Sequence, residues 1–277
     1  MSVSRKASNP IGIFDSGVGG LTVVREVWEQ LPNESVVYFG DTARVPYGPK
    51  SPETVQRYAR EAAAFLLSRS VKLVVVACNT ATAHAAEILS RELPVPVVGV
   101  IRPGARAAVQ ATRTARIGVI GTAGTIASGA YDRELRQLLP DAWIYAQACP
   151  LFVPLVEEGW TDHEATRLIA NEYLRPLREL NVDTLILGCT HYPLLRHVIA
   201  AAMGPGVRLV DSAEETAAEV RRILTENDLL RKDATPPVHS FVVSDSPVRF
   251  REFGRRFLGD RIRQIERVDV DGYTRAA

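Results

Sequence analysis

The sequence has few cysteines and no excess of charge of either sign. Its 277 residues include three Cys, 33 Lys and Arg, and 32 Asp and Glu, which leaves a formal net charge of +1. Nucleic acid is not an expected partner, because phosphate binding normally requires a basic surface. No apolar run approaches the ~18 residues that a membrane helix needs, and no apolar core follows the basic residues of Met1–Pro10. We therefore expect a cytoplasmic protein that does not enter a membrane.

The cysteines are also too few and too widely spaced for a disulfide framework. Cys78, Cys149 and Cys189 are an odd number in a chain with 46% hydrophobic residues, enough to build a core without covalent links. We expect reduced thiols, with Cys149 serving only to fill the core. At about 150 residues per domain, the length predicts roughly two domains.

Short runs of Val, Ile and Leu alternate with longer segments of helical period. This alternation is typical of parallel sheets covered by helices, and several runs are apolar at every residue, as expected for strands buried on both faces. The predicted strands are Ile11–Phe14, Val36–Phe39, Leu73–Ala77, Val97–Gly99, Ile117–Ile120, Ile144–Ala146, Thr184–Leu187, Arg208–Val210, His239–Val243 and Gln264–Val268. The predicted helices are Leu21–Gln30, Pro52–Ser68, Ala81–Leu93, Pro103–Thr112, Gly129–Leu139, His163–Leu180, Leu194–Met203, Ala213–Glu226 and Val248–Leu258.

Two pairs of segments indicate an internal duplication. Ile11–Phe14 and its following turn resemble Ile117–Ile120, 106 residues later, and Leu73–Thr80 resembles Thr184–His191, 111 residues later. The nearly equal offsets predict two copies of one α/β unit. Two unrelated units of the same general type remain the alternative.

Cys78 and Cys189 occupy equivalent positions in this repeat, each directly after an apolar strand and before a helix. The carboxyl ends of parallel strands surround the ligand in open α/β sheets, so two facing units would place both thiols at one cleft. A helix N-terminus near each sulfur is expected to lower its pKa and favour the thiolate. A small buried hydrophobe is the alternative interpretation of each cysteine.

Opposed thiols suit one reaction in particular. Removal of a proton from one face of a carbon and delivery of another to the opposite face inverts its configuration, and a thiolate and a thiol can exchange these roles. Nucleophilic catalysis would need only one of the two cysteines. The pair therefore favours racemisation.

Two turns after strands could bind an anion. Asp15–Gly20 and Gly121–Thr125 each precede a helix, where free N–H groups and the helix dipole favour negative charge. Asp41, at the end of the next strand, would suit a dinucleotide site, but Asp15–Gly20 lacks the third glycine of the GxGxxG spacing. A small carboxylate fits this turn better than a pyrophosphate.

Asp15 and His191 lie close in sequence to these features and could each orient or help ionise a thiol. Asp15 could instead cap its own turn, and His191 could be a hydrogen-bonded core residue. Cys189 and His191 supply only two candidate metal ligands, so we predict no metal site.

Four motifs together resemble the cofactor-independent glutamate racemases, over Ile11 to about Glu226. They are Ile13-Phe14-Asp15-Ser16-Gly17-Val18-Gly19-Gly20-Leu21-Thr22, Gly40-Asp41-Thr42-Ala43-Arg44-Val45-Pro46-Tyr47-Gly48, Ala77-Cys78-Asn79-Thr80-Ala81-Thr82-Ala83 and Leu187-Gly188-Cys189-Thr190-His191-Tyr192-Pro193-Leu194. Cys-Asn-Thr is shared with the related aspartate racemases, whereas the Asp-Ser-Gly-Val-Gly-Gly opening is similar to the glutamate enzymes.

The resemblance implies two pseudo-symmetric α/β domains, each a mostly parallel sheet flanked by helices, with the active site in the cleft between them. It places residues 1–100 plus 211–277 in the first domain and 101–210 in the second. It also implies production of D-glutamate for peptidoglycan synthesis without pyridoxal phosphate or metal. A homodimer is compatible with it, although family members differ in how they dimerise.

The resemblance also assigns roles to individual residues. Cys78 is expected to take the proton from D-glutamate and Cys189 from L-glutamate, with assistance from Asp15 and His191. The residues expected to bind substrate are Asp15, Ser16, Tyr47, Gly48, Asn79, Thr80, Thr122, Thr190 and His191. Three alternatives remain open: an aspartate racemase, a carboxylate-binding module without turnover, and a nicotinamide-dependent oxidoreductase.

Overall fold

The computed structural model describes residues 6–233, 235–262 and 264–269. It contains two parallel β-sheets with helices on both faces, which confirms the predicted fold class. The ends of the predicted first domain, residues 1–5 and 270–277, lie outside the described residues, and the domain boundaries near residues 100 and 210 stay predictions. None of the helices in the described ranges has the length and apolarity to cross a membrane.

The first sheet has six strands in the order β10-β9-β2-β1-β3-β4, and every neighbouring pair is parallel. Its strands are β1 (Ile11–Asp15), β2 (Val36–Gly40), β3 (Leu73–Val76), β4 (Val97–Gly99), β9 (His239–Val243) and β10 (Ile265–Arg267). Because β9 pairs with β2, the chain after the second sheet rejoins the first.

The second sheet has four parallel strands in the order β6-β5-β7-β8. They are β5 (Arg116–Gly121), β6 (Trp143–Ala148), β7 (Thr184–Gly188) and β8 (Arg208–Asp211). This order repeats β2-β1-β3-β4 strand for strand, so β5 corresponds to β1 and β7 to β3. The sequence repeat pairs the same strands, and the shared topology supports duplication over two unrelated units.

Eleven helices connect and cover these strands within the described residues. They are α1 (Leu21–Gln30), α2 (Pro52–Ser68), α3 (Asn79–Glu92), α4 (Ile101–Ala111), α5 (Ala123–Ala127), α6 (Ala130–Leu138), α7 (Phe152–Glu157), α8 (Glu164–Glu179), α9 (Arg196–Met203), α10 (Ser212–Glu226) and α11 (Pro247–Leu258). The prediction omitted α5 and α7, and it began α9 two residues too early, where the chain forms a 3-10 turn at Tyr192–Leu195.

Burial follows the apolar runs of the sequence. β1, β2, β3 and β7 are buried at every residue, because helices cover both faces of each sheet. Each sheet accordingly has one apolar cluster on either side. The polar residues that follow β1, β3 and β7 are thereby held at one edge of each sheet.

Candidate active site

The carboxyl ends of β1, β3 and β7 meet at a small cavity between the two sheets. Every predicted site residue except Asp15 lines it. The lining residues are Ser16, Val45, Pro46, Tyr47, Gly48, Cys78, Asn79, Thr80, Thr122, Val153, Cys189, Thr190 and His191. Both thiols therefore face one cavity, as the repeat predicts.

Asp15 ends β1 and lies behind the cavity wall. Its side chain is fully buried, and its Oδ2 accepts the Gly17 N–H at 2.9 Å while its Oδ1 accepts the Thr190 hydroxyl at 3.4 Å. Burial raises the pKa of Asp15, although the positive charge of His191 and the N–H of Gly17 oppose the rise. Asp15 thus caps its own turn and also binds the second half of the chain.

This arrangement corrects the prediction of an anion site in the first glycine-rich turn. The backbone N–H groups of Gly17 and Gly20 bind the Asp15 carboxylate, so they are not free for an external anion. The turn needs glycine for another reason. A Cβ atom on Gly19 would lie 2.2 Å from Thr190 Oγ1 and 2.7 Å from His191 Nδ1. The backbone of one half therefore touches the active-site side chains of the other.

Cys78 follows β3 and stands immediately before α3. Cys78 is 6% exposed. Burial raises the pKa of its thiol to about 12, with a smaller contribution from the Asp15 carboxylate. The N–H of Ala81 and the hydroxyl of Ser16 lower the pKa but do not outweigh burial. The prediction that a helix N-terminus makes Cys78 a ready thiolate was therefore wrong, because desolvation is the larger effect. Cys78 is a thiol at neutral pH.

Cys189 follows β7 and has a different neighbour. Its Sγ lies 3.9 Å from Nδ1 of His191, and the other ring nitrogen, Nε2, lies 3.2 Å from a carboxylate oxygen of Glu157. Burial lowers the pKa of His191, but the interactions with Cys189 and Glu157 outweigh burial and raise it to about 10. A cationic imidazole stabilises an adjacent thiolate. Cys189 therefore has a positively charged neighbour, whereas Cys78 lies near the Asp15 carboxylate.

Glu157 is a site residue that the sequence pattern does not predict. It ends α7, a six-residue helix that contains Pro154 and that is absent from the predicted elements. The available signals were Phe152 and Val156, spaced as on one helix face, and Gly159 two residues beyond the helix end.

Tyr47 lines the cavity, but its hydroxyl is directed away from solvent to Asp41. Asp41 is fully buried, and its carboxylate accepts hydrogen bonds from Tyr47, from Arg44 at 2.7 Å and from Ser244 at 2.9 Å. Asp41 is therefore an anchor for the loop that carries Tyr47 and Gly48. The dinucleotide interpretation required this carboxylate to be free for a ribose, and the structure contradicts that requirement.

Hydroxyl groups join the two halves on the opposite side of the cavity. The side-chain oxygen of Thr80, at the start of α3, lies 2.9 Å from that of Thr122 and 3.2 Å from that of Thr125. Thr122 Oγ1 also accepts the Thr125 N–H at 3.2 Å, so the second predicted anion turn is capped by its own side chain. Next to this cluster, Asn79 Oδ1 accepts the Tyr131 hydroxyl at 2.7 Å.

Apart from the His191 imidazole, the cavity wall offers donors without a formal charge. Within the described chain its lining includes no Lys or Arg, and the buried Nδ2 of Asn79 has no hydrogen-bond partner. A buried amide donor without a partner is costly unless a ligand accepts its hydrogen bond. The site therefore suits a small polar ligand with carboxylate oxygens.

Comparison with known proteins agrees with this chemistry. The sequence profile of the Asp/Glu/Hydantoin racemase family matches residues 11–220. A glutamate racemase from Geobacter metallireducens is 56% identical over 261 residues, which cover 94% of this chain and 97% of that protein.

Solved structures give the same result. A glutamate racemase isoform from Bacillus anthracis superposes with a TM-score of 0.90 at 43% identity, covering 96% of this chain and 98% of its own. A glutamate racemase from Francisella tularensis, solved in complex with D-glutamate, has a TM-score of 0.90 at 39% identity, covering 96% and 99% of the two chains.

Proposed function

This chain belongs to the Asp/Glu/Hydantoin racemase family, and we propose that it interconverts L-glutamate and D-glutamate by proton exchange between two thiols at Cα, without a cofactor. The observation that carries the proposal is that Cys78 and Cys189 line one cavity from the two repeated units. The relatives that match nearly the whole chain are glutamate racemases. As the family resemblance implies, the D-glutamate would supply peptidoglycan precursors.

The two sulfur environments suggest which form each thiol takes before L-glutamate binds. In this direction we assign the base role to Cys189, whose Sγ lies 3.9 Å from His191 Nδ1, and the acid role to Cys78, a buried thiol beside Asp15. The Cys189 thiolate takes the Cα proton of L-glutamate, and the electron pair of the C–H bond stays on the substrate as a carbanion. The Cys78 thiol then donates its proton to the opposite face, which yields D-glutamate. In the reverse direction Cys78 is the base and Cys189 the acid.

Most of the donors available for substrate binding are neutral. Asn79, through its unpartnered Nδ2, and the hydroxyl-bearing residues Ser16, Thr80 and Thr190 supply hydrogen bonds for the two carboxylates of glutamate. Thr122, Tyr47 and Gly48 complete the cavity wall. Asp15 and His191 act on the thiols, since the Asp15 carboxylate raises the pKa of Cys78 and the His191 ring lies 3.9 Å from the Cys189 sulfur.

The test is incubation of the purified protein with L-glutamate in D₂O, without added cofactor. We expect loss of optical rotation together with entry of deuterium at Cα. Aspartate, tested under the same conditions, is expected to react far more slowly. Retention of rotation and of the Cα hydrogen with glutamate, in protein whose thiols are shown to be reduced, would contradict the proposal. Rapid turnover of aspartate alone would favour the aspartate racemase, and binding of glutamate without exchange would favour the binding module.

Glu157→Gln is expected to lower kcat/KM about tenfold at neutral pH and to shift the alkaline limb of its pH profile to lower pH. The Glu157 carboxylate helps to hold the pKa of His191 near 10, so without that charge burial lowers the pKa and the imidazole loses its proton earlier. The folded-state pKa is above the unfolded value of 6.5, so this proton stabilises the fold fully below pH 6.5 and the contribution is lost as the pH rises toward 10.

The matched control for this prediction is Glu158→Gln, which removes the same charge from the adjacent, exposed residue. Its pH profile is expected to match that of the unsubstituted chain. If both variants shifted the alkaline limb equally, a general loss of negative charge, rather than the contact with His191, would explain the shift.

A further inference from the structure

A helix that belongs to the first sheet's side of the molecule holds the end of α7, the helix that carries Glu157. This helix, α11, follows β9 and packs against α1. Its Arg256 extends to α7, where Nη1 donates hydrogen bonds of 2.9 Å to the carbonyl oxygens of both Val156 and Glu157. These carbonyls lie in the last turn of α7, where a positive charge is also favoured by the helix dipole.

The backbone after α7 is shaped for this arginine. Gly159 has φ of +79°, and a Cβ atom placed on it would lie 2.8 Å from Nη2 of Arg256. The guanidinium therefore lies directly against the chain, and a larger residue at position 159 would displace it. The guanidinium carbon also lies 5.2 Å from the centre of the Phe253 ring.

The next residue of α11 contacts the partner of Glu157. Phe257 is 6% exposed, and its ring meets the His191 ring edge-on, with 6.4 Å between centroids and 89° between planes. Two consecutive residues of one helix thus contact both members of the Glu157–His191 pair.

We propose that Arg256 is a positioning residue for proton transfer at Cys189. By holding the carbonyl end of α7, it keeps the Glu157 carboxylate on His191, and His191 in turn stays against the Cys189 sulfur. This inference rests on the proposed racemase function. Arg256 does not belong to the described cavity lining, so it acts through Glu157 and His191 and not on the substrate.

The proposal predicts an effect on one of the two proton transfers. L- and D-glutamate have equal free energies, so any loss of kcat/KM is the same in both directions. Primary isotope effects are not bound by this symmetry. If the Cys189 step alone is slowed, the isotope effect on kcat/KM with Cα-deuterated L-glutamate rises, because that step breaks its C–D bond. With Cα-deuterated D-glutamate it falls, because Cys78 breaks that bond in a step that no longer limits the rate.

The decisive variant is Arg256→Met, which keeps an apolar stem against Phe253 and removes the donors. We expect about a tenfold loss of kcat with KM changed less than twofold, and opposite changes in the two isotope effects. Arg256→Lys, which restores a positive charge and a donor at the carbonyls, is expected to recover most of the loss. The matched control is Arg255→Met, since Arg255 forms its ion pair with Asp260, 3.2 Å away, and is expected to behave as the unsubstituted chain.

Each other outcome overturns the proposal. A kcat within twofold of the control, isotope effects that change together, or a Lys variant no better than the Met variant would show that Arg256 does not position the Cys189 side. Circular dichroism of all three variants at the assay temperature tests whether they are folded. If Arg256→Met is unfolded, the kinetics and isotope effects of Arg256→Lys are used to test the proposal. Absence of racemisation in the unsubstituted chain would instead reject the proposed function.

Discussion

Replacement of either Cys78 or Cys189 by serine is expected to reduce racemisation by about 10²–10⁴-fold or more, because each variant loses an acid–base group of the two-base mechanism. A serine hydroxyl is far less acidic than a thiol and cannot replace the thiolate at neutral pH. Optical rotation with each enantiomer as substrate measures the loss. A single variant that kept near-normal rates in both directions would exclude the two-base mechanism.

The single variants are also expected to show which enantiomer each thiol faces. Cys78→Ser retains Cys189, so in D₂O it should exchange the Cα hydrogen of L-glutamate without racemising it. Cys189→Ser should exchange that of D-glutamate only. The reverse pattern would keep the two-thiol mechanism but exchange the assigned roles.

The third cysteine supplies the control. Cys149 is fully buried in an apolar cluster that includes Phe152 and Leu174, and it is absent from the cavity lining as described. Cys149→Ala is therefore expected to racemise normally once its folding is verified. Equal loss of activity in all three variants would indicate sensitivity to thiol removal in general.

The strands β1, β2, β3 and β7 could be predicted from the sequence because burial on both faces leaves an uninterrupted apolar run. β4 and β9 have the predicted bounds, and the other strands differ by one or two residues at one or both ends. The cysteines could be placed at one cavity for a related reason. In a duplicated parallel sheet, the position after β3 and the position after β7 must lie at equivalent edges.

What could not be predicted depends on contacts between segments distant in the chain. The pKa of Cys78 is raised by burial, and burial is set by both halves closing over the sulfur. Glu157 reaches His191 from a short helix with little pattern of its own. Arg256 belongs to a helix that was predicted, but its contact with α7 spans about 100 residues of sequence.

A second large effect is expected far from the site. Lys72 is fully buried before β3, and its Nζ donates to the carbonyl oxygens of Ala7 at 2.7 Å and Leu229 at 2.8 Å. It also pairs at 2.5 Å with Glu34, a residue 2% exposed whose other carboxylate oxygen accepts the Arg231 N–H. Lys72 thus joins the N-terminal segment, the entry to β2 and the chain that returns to β9.

Lys72→Met is expected to lower the free energy of unfolding by about 3–5 kcal/mol, because it leaves the Glu34 carboxylate buried without its counter-ion. Thermal unfolding measures this loss. The control is Lys232→Met, which breaks an exposed pair with Asp228 and is expected to cost less than about 1 kcal/mol.

The double variant Lys72→Met/Glu34→Gln separates the two origins of this loss. A neutral amide at position 34 no longer needs a cation, so the double variant is expected to be more stable than Lys72→Met alone. If it were equally unstable, the two carbonyls left without a donor, and not the buried charge, would account for the loss. In either case the activity of the folded fraction should be unchanged, because Lys72 precedes β3 whereas Cys78 follows it, at the opposite edge of the sheet.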